Sequence, residues 1–278
     1  MVLFHWIVGS VVFLIALLLF CTASGKMSPE AKVTAKEFFG LNCAHRGLHT
    51  KDQKIPENSL TAFIEAYKCG YGIELDVQLS KDNQAIVFHD FDLKRACGID
   101  ELVRNLTWLE LSELPLFGTS ENIPLLTDVL KVTGDSPIII ELKPTRGSYV
   151  KLCEITLDIL RKHGASWCIE SFDPRIVAWF RKNAPDVLRG QLSSTPKKFE
   201  DIPKMAVFFV GHLLTNFMSR PHFIAYRADP HPFTMRFCQL FNPMNVVWTL
   251  APDVDIEYYE RRNDTVIFEY YKPTPRYK

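Results

Sequence analysis

The stretch Glu74-Leu-Asp-Val-Gln-Leu-Ser-Lys-Asp-Asn-Gln-Ala-Ile-Val-Phe-His89 holds two alternating segments joined at Asp82-Asn83. Alternation of apolar and polar residues is the period of a β-strand, and an Asp-Asn pair tolerates the left-handed conformation of a tight turn. The first segment therefore reads as a strand and the second as its antiparallel return. With Asp82 and Asn83 as the two turn residues, 81 pairs with 84, 80 with 85 and, by continuation, 76 with 89. Asp76 and His89 then become cross-strand neighbours about 5 Å apart at Cβ, and Glu74 shares their face through the period of two.

On either side of this hairpin the chain alternates short β-rich runs with amphipathic helical stretches, the pattern of a parallel sheet with helical crossovers. The expected strands are Asn42–Arg46, Ile73–Val77, Ile138–Leu142, Trp167–Ser171, Val187–Leu192, Phe223–Tyr226, Val246–Leu250 and Val266–Glu269. Helices are expected at Ser59–Lys68, Leu125–Thr133, Tyr149–His163, Pro174–Asn183, Phe199–Arg220, Pro232–Phe241 and Val254–Arg262. Eight such strands close into an α/β fold, the (β/α)8 or TIM barrel, with the hairpin as an extension after the second strand. Active sites of this fold lie at the C-terminal ends of the strands. His45 and Arg46 end the first expected strand, Glu74 and Asp76 the second, and Glu141 and Lys143 follow in the third.

A carboxylate inside an apolar run, as in Ile138-Ile-Ile-Glu-Leu142, is costly unless paired or bound to metal. Glu74, Asp76 and Glu141 form an all-oxygen set suited to a hard divalent cation, Mg²⁺ or Ca²⁺. Two flanking histidines, His45 and His89, suit general acid and base roles near neutral pH. Arg46 and Lys143 would clamp phosphate oxygens. Trp248 near a strand end either lines the pocket or fills the barrel, and Glu57 is either a contact to substrate hydroxyls or solvent-exposed. Asn58-Ser59 reads as the N-cap of the helix that follows.

The motifs Ala44-His-Arg-Gly, Pro56-Glu-Asn-Ser, Glu74-Leu-Asp-Val-Gln-Leu-Ser-Lys-Asp, Val87-Phe-His-Asp and Glu141-Leu-Lys, in this order and spacing, resemble the glycerophosphodiester phosphodiesterase family. The likeness continues more loosely through Ile123-Pro-Leu-Leu, Glu170-Ser-Phe and Val247-Trp-Thr-Leu. It implies a TIM barrel, one divalent cation, and hydrolysis of glycerophosphodiesters to glycerol 3-phosphate and an alcohol. It places the family's catalytic histidines on His45 and His89, its metal carboxylates on Glu74, Asp76 and Glu141, and its phosphate-binding pair on Arg46 and Lys143. It further implies attack on phosphorus by the substrate's own neighbouring hydroxyl, giving a cyclic phosphate that water opens. Two segments depart from the pattern, Ala251-Pro252 and Phe268-Glu-Tyr-Tyr-Lys-Pro, and both fall on the expected rim, where they bear on substrate preference. The short segment from Asp90 to Asn122 leaves no room for a large capping domain.

Val2 to Phe20 is a run of 19 residues interrupted only by His5, Gly9 and Ser10. That is long enough to cross a hydrocarbon core of ~30 Å as a helix. No basic residue precedes it, which weakens a signal-peptide reading, and bulky Phe20 disfavours a lipoprotein cysteine at Cys21. Small residues at Ala23, Ser24 and Gly25 leave cleavage open, and Lys26, Lys32 and Lys36 follow the run, so the basic flank favours the cytoplasmic over the extracytoplasmic side for the catalytic domain of a single-pass membrane protein. The expected organisation is an anchor at residues 1–24, a linker at 25–39 and the barrel at 40–278. Met205 to Phe217 reads as the buried face of a barrel helix rather than a membrane-contacting patch, with His212 as a core residue.

Lys plus Arg and Asp plus Glu number 32 each, so nothing in the charge points to nucleic acid. The seven cysteines show no CxxC pair or regular spacing, which argues against a zinc ribbon and a disulfide framework and favours a reducing compartment. Cys43, two residues before His45, reads as core. The sequence does not address oligomeric state. Two other activities compete: a lysophospholipase D or phospholipase-type reaction on membrane lipids, and a non-catalytic, membrane-tethered binding barrel.

Overall fold

The computed structural model describes residues 1–145, 147, 149–195 and 204–278 and, for Val2 and Leu3, the backbone alone. Helix α1 (Val2–Thr22) is followed by α2 (Pro29–Phe38), β1 (Leu41–Ala44), α3 (Leu60–Lys68), β2 (Gly72–Leu79) and β3 (Ala85–Val87). Two short helices, α4 (Lys94–Cys97) and α5 (Trp108–Ser112), precede α6 (Leu126–Val132) and β4 (Ile138–Leu142). The alternation then runs α7 (Tyr149–Leu160), β5 (Trp167–Ser171), α8 (Pro174–Asn183), β6 (Arg189–Ser193), α9 (Lys204–Gly211), α10 (Asn216–Ser219) and β7 (Phe223–Arg227). It ends with α11 (Met235–Gln239), β8 (Met244–Leu250), α12 (Ile256–Glu260) and β9 (Thr265–Phe268).

All eight expected barrel strands form. The sheet order is β1-β9-β8-β7-β6-β5-β4-β2-β3, and parallel pairing of β1 with β2 closes an eight-stranded barrel with β3 left as an antiparallel extension of β2. Burial on both faces explains why the strands read as near-continuous apolar runs. Outward-facing Ile73, Leu75, Val77, Ile138, Ile140 and Leu142 pack under the helices. Inward-facing Cys43, Ile139, Cys168, Phe223, Ala225 and Val246 fill the barrel. At the closing seam Cys43 pairs with Gly72, and a Cβ on Gly72 would come 2.6 Å from the Cys43 sulfur, so only glycine allows that approach.

The segment expected as a linker contains α2. Ser28 caps it through the Ala31 N–H, Pro29 opens it, and Ala31, Ala35 and Phe38 plug the N-terminal end of the barrel against the inward-facing residues. From β3 to the start of α6, Ile86, Phe88, Leu93, Ala96, Val103, Leu111, Leu116 and Ile123 form a small core of their own beside the barrel, too small for a second domain.

Two expectations are corrected. The single helix expected over Phe199–Arg220 is two, α9 and α10, separated where Leu213 takes a left-handed conformation (φ 57°) to bury its side chain against Ile224 and Tyr226; residues 199–203 lie outside the described residues. Within α9 only Val207 and Gly211 are buried, while Met205, Phe208 and Phe209 are exposed, so this helix does not present a buried apolar face. His212 stacks on Phe208 at 4.3 Å.

The second correction is the hairpin register. The ladder pairs Val77 with Val87, Gln78 with Ile86 and Leu79 with Ala85, one residue from the expected alignment. The loop holds three residues, 81–83, and Asn83 carries the left-handed conformation (φ 63°). The Ser80 hydroxyl selects this longer turn by accepting the Gln84 N–H (2.9 Å) and meeting Asp82 Oδ1 (2.6 Å). The Phe88 N–H consequently reaches the Asp76 carbonyl, and Phe88, rather than His89, lies opposite Asp76.

Candidate active site

Because β3 ends at Val87, the position of His89 is set by a side chain instead of the ladder. Gln78 shares the inward face of Glu74 and Asp76, and its amide donates to the carbonyls of Phe88 and Asp90, both at 2.8 Å. The chain is thereby turned back over the barrel mouth, and His89 comes close enough to Asp76 and Lys143 for their charges to act on it. Burial, then Lys143, lowers the His89 pKa to about 4 against the pull of Asp76 and Asp90, and its Nδ1 lies 2.6 Å from Asp90.

Glu74, Asp76 and Glu141 each bring an oxygen within 4.8 Å of the others, all three buried, with Asp76 and Glu141 adjacent across the β2–β4 ladder. Burial raises the Glu74 and Glu141 carboxyls well above their ordinary range, with neighbouring carboxylates adding to it. Burial also opposes ionisation of Asp76, but His89, Lys143, Arg46 and the Asn58 amide pull it far below. Lys143 Nζ lies 3.5 Å from Asp76 and 3.3 Å from Glu141. A set of crowded buried oxygens, two of them with raised pKa values, matches the donor chemistry of a hard divalent cation.

The loop after β1 supplies the other side of the mouth. Arg46 (φ 53°) and Asn58 (φ 56°) both adopt left-handed conformations, and the Asn58 N–H donates to the Arg46 carbonyl at 2.9 Å. The Arg46 N–H thereby points at Glu74 Oε2 (3.1 Å), its guanidinium reaches Asp76 (3.5 Å), and the Asn58 amide donates to Asp76 Oδ2 (2.9 Å). Asn58 thus serves the site, while Ser59 alone caps α3 through the Ala62 N–H. Glu57 is buried rather than solvent-exposed. Its Oε1 lies 2.7 Å from both Arg46 and Arg95, and Arg95 continues to Asp90 at 2.7 Å, so one ionic chain fixes Arg46 on one side and the partner of His89 on the other. Although burial opposes it, Arg95 and Arg46 hold Glu57 ionised, with its pKa near about 2.

His45 sits just beyond β1. Its Nε2 lies 3.9 Å from Glu74, and its Nδ1 lies 3.0 Å from Glu269 Oε2, at the end of β9. Burial opposes ionisation of Glu269, but the hydrogen bond and charge of His45 keep its pKa low, and the Nδ1 contact leaves the Nε2 edge of the ring turned toward the carboxylate cluster. His49 is buried with its ring 5.2 Å from that of Tyr270 and its Nε2 3.9 Å from Glu269. Trp248 donates its indole N–H to the Ala225 carbonyl (3.2 Å) and meets Phe172 edge-on at 5.6 Å, on the β5–β8 side of the mouth. Cys43 is buried, and burial with Glu170 and Glu74 raises its thiol well above the ordinary value, which leaves no thiolate.

Sequence reasoning did not assign Gln78, Asp90, Arg95, His49, Glu170 or Glu269 to the site. Glu170, buried beside Glu141 in the ladder, was legible as a charge inside the apolar run of β5. Glu269 was legible as a polar residue at a strand end, the same signal that marked His45.

A closed (β/α)8 barrel whose mouth gathers three buried carboxylates, two carboxylate-backed histidines, an arginine and a lysine defines a class of barrel proteins equipped to handle a cation and an anionic ester. The model of the glycerophosphoryl diester phosphodiesterase family matches residues 45–266, and the chain belongs to that family. It is 35% identical over 114 residues to a glycerophosphodiester phosphodiesterase of Caldanaerobacter subterraneus subsp. tengcongensis, covering 38% of this chain and 46% of that protein. It is 30% identical over 146 residues to the lysophospholipase D GDPD1 of Rattus norvegicus, covering 48% and 46%. The chain therefore spans about half the length of the curated relatives it matches, at 46% of each of these two. Its fold is similar to that of a phosphodiesterase from Oleispira antarctica solved in complex with sn-glycerol-3-phosphate, with a TM-score of 0.68, 22% identity, and 84% and 94% of the two chains covered.

Proposed function

We propose that the protein hydrolyses glycerophosphodiesters to an alcohol and glycerol 3-phosphate, with Glu74, Asp76 and Glu141 holding one divalent cation, Mg²⁺ or Ca²⁺. The observation that carries this reading is the convergence of those three buried carboxylates between two histidines that each have a carboxylate at Nδ1. When bound, the cation supplies polarisation of a phosphoryl oxygen and charge for the transition state. Arg46 and Lys143, already turned into the cluster, orient the phosphate. His45 and His89 form the acid–base pair: one withdraws the proton of the substrate's neighbouring hydroxyl as it attacks phosphorus, the other supplies a proton to the leaving alcohol oxygen, and water then opens the cyclic phosphate to glycerol 3-phosphate with the two roles exchanged. A bound phosphodiester anion beside Lys143 opposes the charge that depresses His89. Trp248 and Phe172 offer an apolar wall for the remainder of the substrate.

We further infer that α1 crosses a membrane and that residues 40–278 form the catalytic domain on its cytoplasmic side. Phe4–Thr22 is long and apolar enough, and residues 4–17 are exposed. Lys26, Lys32 and Lys36 on the barrel side support the orientation, and the seven free cysteines accord with a reducing compartment. This anchor, together with the lysophospholipase D relative, also supports a second reading in which lysophospholipids are the substrate.

Release of glycerol 3-phosphate from glycerophosphocholine with Mg²⁺ or Ca²⁺, with and without chelator, tests the assignment. Turnover is expected to need the cation and to vanish in His45→Ala and Glu74→Ala without loss of fold. Retained turnover in either variant refutes its role. Inactivity on both glycerophosphocholine and lysophospholipid leaves a binding barrel.

A further inference from the structure

Among the described residues, helix α1 touches the barrel only through its C-terminal end. Residues 4–17 are exposed, whereas Leu18, Leu19 and Cys21 are half-buried and Thr22 and Ala23 are buried. That end is pinned. Asn216 donates to the Thr22 carbonyl (3.3 Å), Arg220 to the carbonyls of Phe20 (3.0 Å) and Ala23 (3.1 Å), and the Gly25 N–H to the Pro221 carbonyl (2.9 Å). A Cβ on Gly25 would come 2.4 Å from the Arg220 carbonyl oxygen, so the glycine permits the contact. The connector to α2 is only residues 23–28, and α2 itself plugs the same end of the barrel. Every partner that holds α1 lies just before the start of β7 or beside it, at the end opposite the carboxylate cluster.

The surface around this junction has a mixed character. Phe20 stacks on Phe217 at 5.7 Å and remains exposed, as do Phe217, Met218, Leu240 and Phe241 at the ends of α10 and α11, the two helices that contact α1. Arg220 lies over the Phe20 ring at 5.0 Å, and Arg181, ending α8, donates to the Met218 carbonyl at 3.0 Å. Among the described residues no carboxylate forms an ion pair with Lys26, Arg181, Lys182 or Arg220. Exposed aromatic rings interleaved with unneutralised basic side chains, at the end of an apolar span, are the composition of a membrane–water interface.

We propose that this collar, formed by Phe20, Phe217, Met218, Leu240, Phe241 and the adjacent arginines, sits in the anionic headgroup layer of the membrane spanned by α1, so that the catalytic mouth faces away from that membrane. The substrate is then a water-soluble glycerophosphodiester rather than a lipid of the same leaflet. This rests on the reading of α1 as a membrane span. The five residues of β7 rise roughly 17 Å at ~3.3 Å each, which with a strand tilt of about 36° is roughly 13 Å along the barrel axis, and the site lies at the far end of that rise. A lipid headgroup in the same leaflet would have to leave the bilayer by that distance, and the short pinned connector gives the barrel no slack to turn over.

The full chain, reconstituted in vesicles of phosphatidylcholine and phosphatidylglycerol with brominated acyl chains, tests this with an environment-sensitive fluorescent amino acid placed in turn at Val12, Leu240 and Lys51. Val12 and Leu240 are expected to be quenched and Lys51, beside Tyr270 at the mouth, to be unaffected. Glycerophosphocholine turnover is expected to exceed that of a long-chain lysophospholipid in the same vesicles at least tenfold, with the ratio falling in mixed micelles, where orientation is lost. Quenching at Lys51, or none at Leu240, overturns the orientation. Leu240 shielded from water without quenching places a second copy of the chain on the collar and overturns it too. An unquenched Val12 removes the anchor and this inference with it. Inactivity on both substrates refutes the enzymatic reading and the substrate assignment, while the three probes still decide the orientation.

Discussion

Glu269 shows how one side chain changes the chemistry available to another. A free imidazole distributes its proton between two nitrogens. The Glu269 carboxylate, 3.0 Å from Nδ1, fixes it there and aims the Nε2 lone pair at the mouth. Replacement by Gln keeps the shape but removes the charge that enforces the tautomer. Glu269→Gln is expected to lower kcat by at least about tenfold with KM and the thermal midpoint little changed, and to alter the pH profile of kcat. An unchanged profile would make Glu269 a packing residue. His45 and Glu74 were legible because a polar group inside an apolar run has few inexpensive explanations. The role of Glu269 was not, since its partner lies 224 residues away in sequence.

At the scale of elements, the hairpin of β2 and β3 carries the main lesson. Its existence follows from alternation and turn chemistry, yet its register turned on one residue of loop length, and a slip of one exchanges the faces of a strand. The approach of His89 survives that slip because the ladder ends before it and Gln78 holds the returning carbonyls. A Leu at position 78 fills the same space and leaves the Phe88 and Asp90 carbonyls without their donor. Gln78→Leu is expected to reduce kcat about tenfold or more while cation affinity is retained, because Glu74, Asp76 and Glu141 do not depend on that amide. A fall in cation affinity equal to the loss of kcat would contradict this division of labour. The break between α9 and α10 was similarly hidden, since a left-handed leucine is dictated by the pocket it fills and by nothing in its neighbours.

For the whole molecule, the barrel concentrates unfavourable charge at one end. Glu170 joins Glu74 and Glu141 as a buried carboxyl with a raised pKa, with burial the largest cause for all three. A cation that binds the folded chain alone should therefore stabilise it, by about 2.7 kcal/mol at a hundredfold excess over Kd, or several degrees in Tm. Glu141→Gln is expected to abolish most of that shift without lowering the Tm measured in chelator. A cation-induced shift that persists in this variant would place the ion elsewhere.

The sequence by itself determined the eight strands, their parallel order and, as candidates, the three carboxylates, two histidines, arginine and lysine that meet at the mouth, because two-sided burial imposes apolar runs and makes each interrupting carboxylate or histidine conspicuous. It also determined the apolar helix of the N-terminus through length and composition alone. Only the tertiary structure decided the pairings: Glu269 with His45, Arg95 with Glu57, Gln78 with the His89 turn, and the end of α1 with Arg220 and Asn216. Those depend on which loops meet across a closed barrel, and hydrogen-bond partners distant in sequence leave no periodic trace in either segment.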